Sequence, residues 1–457
     1  MSFDGNVVAT VVSGAQAVDR AVLNIPLHLT TGPTFPERVR TYASGAEAAA
    51  DTLLGTLGTA AVDAHFAQDL HAPTIKIGRS ADTPAAQVDT VTVAGTPLEG
   101  EVYNITVNGI VTEYVAGSSP TVSSVYTALD SAVTAAIAAE AVTVGGSDPD
   151  ITLTADNLGE PFSVTVSVTK APSQPAATGT LTLVHTTLNA GIGSDLDACL
   201  AEDDGWYGLT TVINAVAATN LITMEAASAW CQINKKIYLA QSLDATVLAG
   251  TAGNDLLVLA AKNNSRTAYA WHQDDSELLA VGAMSYKFQA DPDVKSTNWA
   301  YVPVSSVSLK DPRLTSTQWG FIESQDGNRF DTFGGNGKFG MGITTTGKHI
   351  DTIITEDWLE ARLKEAYIQL LSDVAARNEK IGLDDKSLQV FPNVGQKILD
   401  QGVDAEHLIE GTTEISVQKR ADMSAADITD RHVRVTASGT AAGSAEKVTV
   451  TMTLSLV

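Results

Sequence analysis

The stretch Gly342-Ile-Thr-Thr-Thr-Gly347-Lys348-His349 has the G-x-x-x-x-G-K spacing of a phosphate loop. In such a loop backbone amides and a lysine ammonium cradle the phosphates of a nucleotide. Two features argue against that chemistry here. His349 stands where Ser or Thr would hold magnesium. The following "IDTII" reads as a strand, whereas a phosphate loop must open a helix whose N-terminus faces the anion. The better reading is a glycine-rich β-turn region that begins at "FGGNGKFGMG".

Other reactive residue types are present without the spacing their chemistry needs. His65 and His71 stand six apart with no cysteine or carboxylate cluster beside them, and a metal site needs three or four ligands at characteristic spacing. The doublets in Gln273–Asp275 and Asp291–Asp293 lack the loop and terminal bidentate glutamate of a calcium site. They are expected to be solvated turns. Cys199 and Cys231 are too few for a disulfide framework and are expected as buried, reduced thiols. No G-x-S-x-G nucleophile elbow occurs. Trp206, Trp230, Trp271, Trp299, Trp319 and Trp358 are spread along the chain, as core or interface residues would be. The sequence therefore assigns no catalytic residue, no metal and no cofactor, and the chain reads as a non-enzyme.

The elements that surround these residues say more. At 457 residues the chain is long enough for about three domains. A net charge of −25 removes the basic footprint that nucleic-acid binding requires. No apolar run approaches the ~18–20 residues of a membrane span. "VVATVVSGAQA" ends like a signal cleavage site, but Asp4 and no basic residue precedes it, so no signal peptide is expected.

"NVVATVV" reads as a strand and "AVLNIPLHLT" as another, with Pro26 demoting the second to an edge or a broken strand. The Ala-rich stretch that follows is helical in tendency, broken by Gly55 and Gly58, and Thr74–Ile77 is a short strand. From about Asp82 to Leu188 the sequence turns Thr/Val-rich and alternating. Asn108-Gly109 between two alternating runs specifies a type I′ hairpin, because both turn positions need positive φ. Val122, Val125, Leu129, Val133 and Ile137 mark one helix, and further short strands follow. This β-rich unit looks inserted into another domain. From about Leu196, strands alternate with helices, so a sheet covered by helices is expected. Thr355–Arg377 is the clearest helix, with Thr355 as its cap, Gly382 as its stop, and Leu359, Leu363, Ala366, Leu370 and Val374 as its apolar stripe. Strands "TEISVQK" and "HVRVTAS" come next. In "EKVTVTMTLSLV", Val448, Val450, Met452, Leu454 and Leu456 alternate with polar residues over a strand roughly 34 Å long. Strands at both chain ends invite pairing with neighbouring copies; folding back into the chain's own sheet is the equal alternative.

Several stretches together resemble a bacteriophage contractile tail sheath protein of the diverged, myovirus type. They are "RTYASGAEAAADTLLG…AAVDAHFAQDLHAPTIKIGR", "AWCQINKKIYLAQSLDATVL…NDLLVLAAKNNSRTAYAWH" running into "LLAVGAMSYKFQADP", "GITTTGKHIDTIITEDWLEARLKEAYIQLL…KIGLDDKSLQVF", and the terminal strand pair. The order of the parts carries the likeness, which spans the chain outside the insert.

The resemblance implies a structural subunit that forms hexameric rings stacked into a helical sheath around a tail tube protein. Baseplate and tail terminator proteins would be further partners, with no nucleic acid and no membrane insertion. The location would be the virion tail, after synthesis in the bacterial cytoplasm. Terminal arms, with Val7, Val8 and Val11 at one end and Val448, Val450, Met452, Leu454 and Leu456 at the other, would add strands to a neighbour. Receiving strands would carry Ile415, Val417, Val433 and Val435. Glu360, Lys364 and Arg377 on the long helix would face the tube. The implied fold class is multidomain, α/β and α+β. Residues 1–20 form an N-terminal arm, 21–85 with 189–345 a discontinuous α/β sheath domain, 86–188 the inserted β-rich outer domain, and 346–457 a C-terminal inner domain with its terminal strand arm. Rival readings are another virion protein, such as a tail tube or capsid decoration, and a nucleotide-binding α/β enzyme.

Overall fold

The computed structural model describes residues 20–80, 86–156, 162–170, 177–187, 191–212, 217–274 and 276–444. The terminal segments that hold Val7, Val8, Val11 and Val448–Val457 lie outside these residues. Strand β1 (Pro26–Thr30) is buried along its whole length. It lies between β11 (Gly208–Val212) and β3 (Ile75–Arg79), parallel to both. Pro26 thus does not mark an edge. It is the first residue of the strand, where a missing N–H removes no ladder bond. Strand β2 (Val39–Tyr42) runs antiparallel beside β3. Helices α1 (Gly45–Ala49) and α2 (Gly55–Phe66) connect β2 to β3. Gly55, at φ 71°, opens α2, but Gly58 does not break it. A Cβ on Gly58 would lie 2.8 Å from Leu54 Cδ1, so the glycine serves packing.

Residues from Val88 to Thr187 build two antiparallel sheets of their own. The strands are β4 (Val88–Gly95), β5 (Glu101–Val107), β6 (Ile110–Val115), β7 (Val142–Ser147), β8 (Asp150–Ala155), β9 (Val164–Lys170) and β10 (Gly179–Thr187). One sheet has the order β10-β4-β8-β7 and the other β6-β5-β9. Asn108 and Gly109 have φ of 50° and 83°, and Val107 pairs with Ile110 across the expected two-residue turn. Helix α3 (Val122–Ala136) is capped by Thr121 and buries Val125, Leu129 and Val133 against both sheets. Buried Glu101 ties the start of β5 to that of β10. Burial would raise its pKa, but bonds from the Tyr103 hydroxyl and the Leu98, Thr178 and Gly179 amides bring it down to about 2.

The chain then returns to the first sheet. Helices α4 (Ile192–Glu202), α5 (Ala217–Asn234), α6 (Asp255–Ala261), α7 (Leu279–Lys287) and α8 (Ser316–Ser324) alternate with β11, β12 (Ile237–Ser242), β13 (Thr267–Trp271), β14 (Asn328–Phe333) and β15 (Asn336–Phe339). The eight-stranded order is β15-β14-β13-β12-β11-β1-β3-β2, parallel except at the two edges. Side chains alternate between two cores. Ile237, Leu239, Ala268 and Ala270 pack with Leu279, Ala283 and Met284 of α7. Tyr238, Ala240, Tyr269 and Trp271 pack with Leu196, Met224 and Leu259 from α4, α5 and α6. Trp206 and Trp230 stack in this second core at 5.7 Å, and both cysteines are buried, free thiols there.

Helix α9 (Ile350–Ala376) begins earlier than its sequence suggests. "IDTII" is its first turn and not a strand. Ile350, Ile353 and Trp358 fall on one face and fill the first core, which overrides the strand preference of β-branched residues. Thr355 is therefore internal and does not cap; its hydroxyl bonds His407 Nδ1 at 2.8 Å. The stop is Asn378, at φ 55°, and not Gly382. The Glu379 amide reaches back to the Val374 carbonyl at 3.0 Å, the closing bond of a left-handed helix end. After it come α10 (Asp385–Leu388), α11 (Val390–Asp404), β16 (Glu414–Val417), α12 (Ala425–Thr429) and β17 (Val435–Ser438). Their small core joins Leu388, Phe391 and Met423 to Tyr367 and Leu370 of α9.

Candidate assembly surfaces

Strands β16 and β17 form a two-stranded antiparallel ribbon, with Ile415 opposite Ala437 and Val417 opposite Val435. Among the described residues no third strand lies on either side. Alternation explains its placement. Ile415, Val417, Val433 and Val435 are half-buried, and the last three pack on Phe391 and Met423, while Glu414, Ser416, Arg434 and Thr436 are exposed. Gly395 of α11 makes room, since a Cβ there would lie 2.3 Å from Ile415 Cδ1. The structure thus brings the four residues expected to receive a strand to one side, Ile415, Val417 and Val435 on the inner face of the ribbon and Val433 just before it, and leaves main-chain edges of the kind that accept another strand.

The three charges named on the long helix are not brought together. Glu360 is exposed and pairs with Lys235. Lys364 is exposed one turn further on. Arg377 ends the helix, roughly 20 Å beyond Lys364 at 1.5 Å per residue, and pairs with Glu379 at 2.9 Å.

Helix α9 also carries a charge network that the sequence reading missed, reaching into the cleft that Glu360 and Lys364 line. Asp357 accepts two bonds of 2.5 Å from Arg266 and one of 2.5 Å from the Tyr207 hydroxyl. Burial works against the charge on Arg266, but Asp357 raises its pKa; burial and Asp357 together push the Tyr207 phenol far up. Arg362 bonds Asp293 at 2.6 and 3.1 Å and Glu365 at 2.9 and 2.8 Å. Trp358 Nε1 adds 2.8 Å to Asp293. Asp293 is thus no solvated turn residue but an anchor for α9. Asp274 likewise pairs with Lys310, at 2.6 Å. In the sequence Asp357 and Arg362 fall off the Leu359–Val374 stripe, so nothing there marked them as buried.

The glycine-rich loop is closed on itself. The Ile343 amide bonds Asn328 Oδ1, the Thr344 amide bonds Lys348 O, the Thr345 amide bonds Thr267 O, and the Gly347 amide bonds Thr344 O. Lys348 reaches both Glu356 oxygens at 2.9 Å. A helix does follow, contrary to the sequence reading, but four of the amides that would cradle a phosphate are already engaged. His65 donates or accepts at both ring nitrogens, to Ser285 Oγ at 2.7 Å and Ala72 O at 3.0 Å. No group of three or more ligand-type side chains among the described residues could hold a metal, and no described helix is long and apolar enough to cross a membrane.

No family model matches the sequence, and no curated protein matches it. Solved structures do match. The helical sheath of the anti-feeding prophage in its contracted state is 13% identical, with 99% of each chain covered and a TM-score of 0.53. The contracted sheath complex of an extracellular contractile injection system, PVC, is 9% identical, with 99% of this chain and 98% of that chain covered and a TM-score of 0.51. The overlap takes in the insert, the eight-stranded sheet and the α9 region alike, and so the chain has the multidomain fold of contractile sheath proteins.

Proposed function

We propose that the chain is the structural subunit of a contractile phage tail sheath. It would polymerise in hexameric rings around a tail tube by exchanging terminal strands, and contract to drive the tube through the host envelope. The observation that carries this reading is the β16–β17 ribbon: two four-residue strands with no third partner strand among the described residues, in a chain with a sheath fold. A donor strand supplies the missing main-chain partners, and Val448–Val457, with its alternating apolar side, has the pattern to do so. Residues 86–188 are then the outward domain and 346–457 the inner one, and Glu360, Lys364 and Arg377 of α9 are its candidates to face the tube. Baseplate and terminator proteins would bind the two ends. Contraction needs no nucleotide, since a metastable lattice that repacks its faces supplies the work.

Deleting Val448–Val457 tests the reading. The expected outcome is a folded subunit, with unchanged circular dichroism, that forms no tubes in electron micrographs at concentrations where the full chain does. Tubes of normal diameter from the truncated chain would overturn strand exchange.

A further inference from the structure

A cleft of 470 Å³ separates α9 from the α/β body. Ala21, Val22 and Leu23 line one side, and Glu360, Lys364 and Ile368 the other. Ile368 is 42% exposed, and Ile233, two residues before the lining Lys235, is 80% exposed. Apolar side chains this open beside a concave surface mark a contact that the described residues leave incomplete.

The lead-in to β1 is held at the rim. Glu365 Oε1 accepts from the Ala21 amide at 2.6 Å, Arg362 Nη2 donates to the Ala21 carbonyl at 3.1 Å, and Arg20 pairs with Asp293 at 3.1 Å. The described chain therefore begins at the rim of the cleft, at Arg20. Five extended residues reach roughly 17 Å, about twice the edge of a cube of this volume. The chemistry of the segment also fits. It carries Asp4 and Asp19, no basic residue, and Val18 next to the rim. Lys364 lines the cleft without an ion pair to a carboxylate among the described residues, whereas Lys236 is engaged by the Asp204 and Trp206 carbonyls and by the Asp204 charge.

We infer that in the unassembled subunit this cleft holds the N-terminal segment of the same chain, so that the segment is withheld until a growing lattice displaces it. The inference rests on the strand-exchange reading and names its regulation. Tethering favours the cis arrangement. A short flexible link gives an effective concentration of about 1 mM, so a contact too weak to capture a free segment at micromolar concentration is still well populated within one chain.

The test is disulfide trapping in the dilute, monomeric full chain. Val11→Cys with Ile368→Cys, and separately Val11→Cys with Lys364→Cys, are compared with Val11→Cys plus Lys295→Cys, an exposed control near the Arg20–Asp293 pair but outside the cleft lining. Native Cys199 and Cys231 are buried and do not compete. The expected result is a bond within one chain, formed on the order of tenfold faster than in the control, for both cleft pairs. Equal rates in all three variants, or bonds only between chains, would overturn the inference. Deletion of residues 1–12 separates it from its parent reading: normal tubes from that chain would defeat strand donation, whatever the trapping result.

Discussion

Replacing Arg362 by methionine should loosen α9 from the body of the molecule. Arg362 is 4% exposed, and its guanidinium holds Asp293, Glu365 and the Ala21 carbonyl. Burial opposes ionisation of Asp293, yet the bonds from Arg362 and Trp358 hold its carboxyl below the usual range. Without Arg362, Asp293 keeps Trp358 and the largely exposed Arg20, whose ion pair adds little. Breaking one side of a buried pair costs about 3–5 kcal/mol. Asp293 retains 22% side-chain exposure, which places the cost near the lower end, about 3 kcal/mol. Hydrogen exchange reads this directly. Amides in the middle of α9 should lose about two decades of protection, since 1.4 kcal/mol is a factor of ten. Adding Asp293→Asn removes the stranded charge, so the double variant should recover part of the loss and give a coupling of about 1–2 kcal/mol. Unchanged protection in Arg362→Met, or strictly additive losses in the cycle, would refute the view that this charge network fastens the helix, and would leave Ile350, Ile353 and Trp358 to do so alone.

Acid should weaken the α/β body through His65. Burial lowers its pKa to about 4, and neighbouring His28 is lowered too, by burial and then by His65. The folded value lies below the unfolded ~6.5, so this stability is fully present above pH ~6.5 and is lost as pH falls toward 4, about 3 kcal/mol in all. Thermal melts between pH 7 and 4 should show a shallower acid slope in His65→Asn than in the parent, and equal slopes would count against it. Asn378→Ala should cost about 1 kcal/mol and Asn378→Gly none, because only the alanine is strained at φ 55°; melts of the two variants decide the point. Burial pushes the Cys199 thiol up to about 12 and raises that of Cys231. A thiol reagent at pH 8 should therefore label neither cysteine until denaturant unfolds the chain, and rapid labelling of the native protein would contradict the packing described.

What the sequence made legible was local chemistry with one solution. Asn108-Gly109 between alternating runs has a single low-strain geometry, and the hairpin follows. The alternation of strands and helices after Leu196 gave the covered sheet, though not its order, because parallel pairing joins segments far apart in the chain. Signals failed where a partner decided the outcome. The isoleucines of "IDTII" favour a strand by propensity, but a core that accepts one helical face makes them the start of α9. Asp293 looks like a turn residue until Arg362, 69 positions away, arrives beside it. The same limit applied to Asp357, whose partner Arg266 is 91 positions off. Periodicity identifies which side of an element is buried, and it cannot identify which charge waits there.

Helix α9 has a place in the architecture that bears on how such a subunit would carry force. Its 27 residues span about 40 Å. Its first half belongs to the core beneath the large sheet and its second half to the core beneath the ribbon. The joint between them is closed by His407, which bonds Thr355 of α9 at 2.8 Å and the Pro292 carbonyl at 2.7 Å and stacks on Trp358 at 4.8 Å. The His407 carbonyl in turn accepts the Ala442 amide just beyond β17, at 2.9 Å. A pull on the ribbon therefore reaches the eight-stranded sheet through packed side chains and main-chain bonds. If strands from neighbours seat on that ribbon, as proposed, each subunit can turn as a unit while its links persist, and the faces that change in contraction are those between bodies. A soft joint at His407 would instead let the ribbon move while the body stayed behind.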